Sequence, residues 1–186
     1  MVTIGSLWLA ILLSAVVIWV VSAVIWTVLP HHKSDYRGFP DEGAVRNVLL
    51  PQNLPAGQYD IPHLSSREEV KRPEVLKQFE DGPVGFMTVV PRGVPTMAKG
   101  MVLSFVYYLA VSFCVAYVAS RTISQGAAYL AVFRITGTVA WLAYGAGVVQ
   151  DAVWFGRPWS AVGKHLIDSL AYGLFTAGVF GWLWPG

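Results

Sequence analysis

The sequence predicts an all-α membrane protein: a four-transmembrane-helix bundle with a small mixed polar segment after its first span. Three observations carry that expectation. Only 13% of the 186 residues are charged, about half the roughly 25% of an average soluble domain. The mean hydropathy is +0.53. Six of the eight tryptophans (Trp8, Trp26, Trp154, Trp159, Trp182 and Trp184) sit near the ends of long apolar runs, where an aromatic belt meets the headgroups. Within lipid, a run of this length satisfies its backbone only as a helix.

The first run, Gly5 to Leu29, carries no charge. At about 1.5 Å per residue it is long enough to cross a ~30 Å hydrocarbon core with tilt. Pro30 and the tract HHKSDYR end it. A secretory signal has a basic start, a shorter apolar stretch and a small-residue cleavage site. No Lys or Arg precedes Lys33, so an uncleaved anchor is expected. Residues 30–100 then form a polar segment, and residues 101–186 hold three further runs. These are Met101 to Ser120, Ala127 to Val149 and Ala161 to Trp184.

The polar segment contains nine of the 11 prolines, too many for one long helix. Pro40-Asp41-Glu42 starts a short helix with acid at its positive end. Gly57 to Ile61 reads as extended. Ser66 and Glu69 have capping-box spacing, and Pro73 to Phe79 reads as a second short helix. Val84 to Val90 is β-branched and bounded by prolines, which predicts a strand pairing with 57–61. Nine acidic residues balance nine basic ones here, unlike a polybasic lipid-binding tail. The segment is expected to lean on the membrane face or on a partner.

Four spans place both termini on one side. The basic residues Lys33, Arg37, Arg46, Arg67, Lys71, Arg72, Lys77, Arg92 and Lys99 lie in the long loop, and Arg157 and Lys164 lie on the same side. The positive-inside rule therefore predicts a cytoplasmic loop and outside termini.

Several classes are excluded. A net charge of +2 is too small for a nucleic-acid footprint, so no nucleic-acid partner is expected. The single cysteine, Cys114, allows no internal disulfide framework and no Cys-based zinc site. There is no Walker loop, G-x-S-x-G, HExxH or CxxC. A dinucleotide fingerprint is absent too, since Gly137, Gly145 and Gly147 follow no strand. The sequence assigns no cofactor. The expected surroundings are the lipid bilayer and other membrane subunits.

Three constellations remain. Ser169, Gly173, Ala177 and Gly181 recur every four residues on the fourth span, a small-residue ridge that lets backbones approach closely. Ala143 with Gly147, and Ser112 with Ala116 and Ser120, repeat the theme. Such a ridge serves either packing within the bundle or docking of another subunit. Arg134 lies about 10 Å inside the third span; it either snorkels outward or pairs within the membrane. Asp151, Arg157, Lys164 and Asp168 form a candidate charge cluster at the cytoplasmic interface, with Arg157 or Lys164 the expected partner of Asp168. His31 and His32, with Asp35 and His165, offer nitrogen and oxygen ligands, but their spacing matches no metalloenzyme signature.

WFGRPW and KHLIDSLAYGLFTAGVFGWLWP, with Pro83-Val84-Gly85-Phe86 and Pro30-His31-His32, resemble a group of small uncharacterised bacterial four-helix inner-membrane proteins. That resemblance implies a bacterial inner membrane and no particular chemistry. Three functions follow for testing: an accessory or scaffold subunit, a small transporter or proton-conducting protein using Arg134 and Asp168, and an interfacial enzyme. The last requires the histidines to converge with Asp151 or Asp168 in one pocket.

Overall fold

The computed structural model describes residues 2–186 and is mostly helical. A 3-10 turn at Ile4–Leu7 leads into α1, Trp8–Thr27. The polar segment follows, with α2 (Glu42–Leu49), β1 (Gly57–Ile61), α3 (Pro73–Asp81) and β2 (Gly85–Val89). Four further helices complete the chain: α4 (Met97–Thr122), α5 (Tyr129–Gly145), α6 (Val148–Phe155) and α7 (Trp159–Trp182). Three stretches are long and apolar enough to cross a membrane: Ile4–Thr27, Met97–Thr122 and Tyr129–Phe155. The 24-residue α7 is comparably long, but Lys164, His165 and Asp168 lie in its first half and dilute its apolarity.

Because α1 is apolar all round, hydrophobicity alone gives it no inner face. Residue size marks most of one: Ala10, Ser14 and Ser22, with Ile18 among them, recur every four positions and are all buried. The stripe Ser112, Ala116 and Ser120 on α4 is buried as well. Close approach of backbones, not a polar–apolar contrast, orients helices whose outer solvent is lipid. The third apolar run is one segment in sequence, but its α-helical ladder is interrupted at Ala146-Gly147 between α5 and α6, with both residues still helical in dihedral angle.

The ridge on α7 packs against α5. A Cβ on Gly173 would stand 3.0 Å from the Gly137 carbonyl oxygen and 3.1 Å from Trp141 Cβ. One on Gly137 would meet Ala177 Cβ at 3.0 Å, and one on Gly145 would meet Ser169 Cβ at 2.9 Å. Gly181 lies under the Tyr129 ring, 2.6 Å from where its Cβ would be. Packing within the bundle therefore occupies this face. The matching positions on α5 are Gly137, Trp141 and Gly145. Ala143 and Gly147, the pair singled out by spacing, are exposed, because they lie away from the α7 contact.

In the polar segment β1 and β2 pair antiparallel, with Tyr59 opposite Met87 and Ile61 opposite Gly85. Asp41 caps α2, accepting from the Ala44 amide at 2.9 Å. The expected Ser66 box does not form: Glu69 Oε2 instead accepts from the Ser65 amide at 2.9 Å, and no serine hydroxyl caps the turn. The local helix there is only the 3-10 turn Glu69–Lys71, whose tighter winding shifts the reach of the side chain. The ribbon meets the helices through Phe86, whose ring packs edge-on against Phe155 at 5.6 Å. Phe86→Ala removes an aromatic pair worth about 0.5–1.5 kcal/mol beyond its buried area. It is expected to increase amide exchange in β1 and β2 while leaving exchange in α4–α7 unchanged.

Candidate functional site

Pro30 stops α1 and opens a 3-10 turn, Pro30–Ser34. That turn folds back so that two consecutive histidines reach α7. His31 Nε2 donates to Asp168 Oδ1 at 3.0 Å, and His32 Nε2 donates to Asp168 Oδ2 at 2.6 Å. The other nitrogen of His32, Nδ1, donates to Asp35 Oδ2 at 2.6 Å. Lys164, one turn before Asp168 on α7, donates instead to Asp35 Oδ1 at 2.6 Å and Ser34 Oγ at 2.7 Å. The Trp26 indole stacks flat on His32, with centroids 3.9 Å apart and planes 2° from parallel.

Burial makes this network consequential. Asp168 is 3% exposed and His32 6%, and a carboxylate taken out of water must be paired. The side chain of His31 keeps 33% of its surface exposed, so the network opens to the outside along that ring. Hydrogen bonds from His32 first, then Lys164, hold the Asp35 carboxyl below its ordinary range. The sign follows. A lowered folded-state value stabilises the fold above the unfolded value near pH 4, and this contribution disappears as pH falls through the lowered value. The melting-temperature gap between wild type and Asp35→Asn is therefore expected to shrink in acid; a gap that widens below pH 4 contradicts the assignment.

The four charges expected to cluster divide into two groups. Arg157 donates to Asp151 Oδ2 at 3.3 Å, on a partly exposed surface where such a pair contributes little. Asp168 bonds to the histidines and to neither Arg157 nor Lys164. The physical reason is reach: the 3-10 turn inserts His31 and His32 directly over Asp168, and Asp35 draws Lys164 away. Among the ligands suggested by the sequence, His31, His32 and Asp35 come together. His165 is replaced by Asp168; its own Nδ1 is buried without a hydrogen-bond partner. His63 pairs with Asp60 at 2.6 Å on the exposed ribbon, outside the network.

Next to the network lies a cleft of about 640 Å³ between the ribbon and the α6–α7 turn. Asp35, Tyr59, Phe86, Asp151 and Arg157 are among its walls. Asp35 thus belongs both to the network, through His32 and Lys164, and to the cleft wall.

Further into the bundle, Tyr172 and Thr176 follow Asp168 at successive turns of α7, and both are buried. Their hydroxyls, like those of Ser14, Ser112 and Tyr144, have no hydrogen-bond partner among the described residues. The rings of Tyr108, Tyr144 and Tyr172 pack edge-on, 5.6–6.2 Å apart. The next residue of this stripe is Phe180, fully buried. Arg134 is on a different face: it is exposed and borders a shallow groove of about 250 Å³ with Trp141 and Leu170. It has no ion pair with Asp168. No protein-family model, curated protein or solved structure matches this chain.

Proposed function

We propose that the chain is a four-span bacterial inner-membrane protein that serves as an accessory or scaffold subunit, with the His31–His32–Asp168 centre as its working part on the cytoplasmic side. The observation that carries the accessory reading is the exposed apolar surface of the polar segment, with Val48 and Leu76 uncovered; both histidines, in the turn after α1, converge on Asp168 in the first half of α7, 136 and 137 residues away in sequence.

The 24-residue α7 is about 36 Å long and packs along α5, which supports its counting as the fourth span. Four spans and the basic residues of segment 30–100 support a cytoplasmic loop. Val48 on α2 and Leu76 on α3 are exposed, which supports a partner docking on the segment. The alternative of transport between Arg134 and Asp168 receives less support, because Arg134 faces outward and Phe180 caps the polar stripe. An interfacial enzyme is the second reading. Convergence of the histidines on Asp168, with the cleft beside Asp35, is the arrangement that reading requires.

Two measurements test the proposal. In a Cys114→Ser background, a cysteine at Ser65 is expected to resist membrane-impermeant thiol reagents in intact cells and to label after lysis; rapid labelling in intact cells reverses the orientation. Affinity purification in mild detergent is expected to retain a second membrane protein. The double substitution Val48→Glu, Leu76→Glu is expected to release it without changing the melting temperature. If the wild type purifies alone, the accessory reading fails.

A further inference from the structure

We propose that His31, His32 and Asp168 bind one divalent transition-metal ion of the zinc or iron(II) class, with Asp35 orienting His32 from behind. The inference rests on the proposed interfacial centre and adds its ligand. The ligand atoms of the three residues all lie within 4.8 Å of one another. Both Nε2 atoms face the same carboxylate, at 3.0 and 2.6 Å. In a tetrahedral shell with bonds of roughly 2.0–2.1 Å, neighbouring ligand atoms stand roughly 3.4 Å apart. Those two contacts would open by less than about an ångström to reach that spacing.

The surroundings are those of a metal-bound imidazole. A ligating histidine characteristically gives its second N–H to a carboxylate, which fixes the tautomer and directs the other nitrogen at the metal. Asp35 does this for His32 at 2.6 Å, and Lys164 anchors Asp35 in turn. Stacking on Trp26 prevents the ring from turning away. Both ring nitrogens of His32 point at carboxylate oxygens, so the Nε2 side is where an ion would sit between the ring and Asp168. Charge agrees: two carboxylates against one Lys164 ammonium leave a single negative charge when the imidazoles are neutral.

Ligand chemistry selects the ion. Magnesium and calcium take six or more oxygens, whereas two imidazoles and one carboxylate suit zinc or iron(II). Three protein ligands leave at least one coordination position open. The exposed flank of His31 supplies access to it.

The test uses the full-length protein in detergent, stripped with EDTA and desalted, then titrated with Co²⁺ and Zn²⁺. One ion per chain is expected to survive desalting. Co²⁺ is expected to give visible ligand-field absorption that Zn²⁺ abolishes. His31→Ala is expected to weaken Zn²⁺ binding at least 100-fold, and Asp35→Asn by about 10–100-fold. His63→Ala, far from the centre, is expected to change nothing. Zn²⁺ is also expected to raise the melting temperature of wild type but not of His31→Ala. Should His31→Ala fail to fold, His31→Gln preserves more of the contact and is read in the same way. The inference is overturned if wild type retains no more Zn²⁺ than an Asp168→Asn, His31→Gln double variant, or if metal content follows His63. A protein that binds no metal but loses its co-purifying partner on His31→Ala overturns the metal site and leaves the interfacial centre standing.

Discussion

Asp168→Asn is expected to lower stability in detergent by about 3 kcal/mol, the lower end of the cost of breaking a buried ion pair. At 186 residues that corresponds to a fall in melting temperature of roughly 6–12 °C. The carboxylate is almost wholly buried and accepts from two imidazoles, one at each oxygen. An amide retains one acceptor and presents its NH₂ group to the other ring, so one charge-assisted hydrogen bond is lost or replaced by a weaker neutral one. The partner assignment has its own check. Arg157 is engaged with Asp151, so Asp168→Asn and Arg157→Gln are expected to add within about 0.5 kcal/mol. Asp168→Asn and His31→Gln share a bond and are expected to couple by about 1 kcal/mol or more. Strong coupling to Arg157 and none to His31 would contradict the network.

Gly173→Leu is expected to be at least as damaging, by about 3 kcal/mol or by loss of a monodisperse protein. Overpacking usually costs about 1–3 kcal/mol where side chains can shift. Here the first new atom meets the Gly137 carbonyl oxygen at 3.0 Å and the Trp141 backbone nitrogen at 3.2 Å, and neither can swing aside without separating the helices. Gly181→Leu meets the Tyr129 ring, a side chain that can rotate toward lipid. Its expected cost is smaller, although its closest approach, 2.6 Å, is the shorter of the two. Paired melts of Gly173→Leu, Gly173→Ala and Gly181→Leu give the order. A Gly181 variant that proved the worst of the three would show that the ring, not the backbone contact, governs this interface.

Much of the architecture is legible in sequence because it depends on local chemistry. The long apolar runs, the prolines that end them and the β-branched stretch 84–90 announce the helices and the ribbon. The ridge from Ser169 to Gly181 is visible as a period of four. Its partner is less so: Ala143 and Gly147 have the four-residue small-residue spacing, whereas the face that meets α7 is Gly137, Trp141 and Gly145, with a tryptophan between its glycines. For α1 the sequence offers no inner face by hydrophobicity; in the buried stripe Ala10, Ser14, Ile18 and Ser22 three side chains are small, and nothing local sets Ile18 apart from the apolar residues around it.

By itself, the sequence determined an all-α membrane protein with long apolar helices and a proline-divided polar segment; the four spans it predicts become three strongly apolar helices and a more polar α7 in the structure. The long helices and the divided segment follow from transfer free energies and backbone geometry, which act over a few residues at a time. Only the tertiary structure decided the partners of the charged residues. Lys164 is four residues from Asp168 and Arg157 is in the adjoining loop, so both are the natural candidates along the chain. His31 and His32 are more than 130 residues away. They prevail because packing of α1 beside α7 brings the Pro30 turn over the buried carboxylate, and desolvation there makes an unpaired charge costlier than any local pairing could offset.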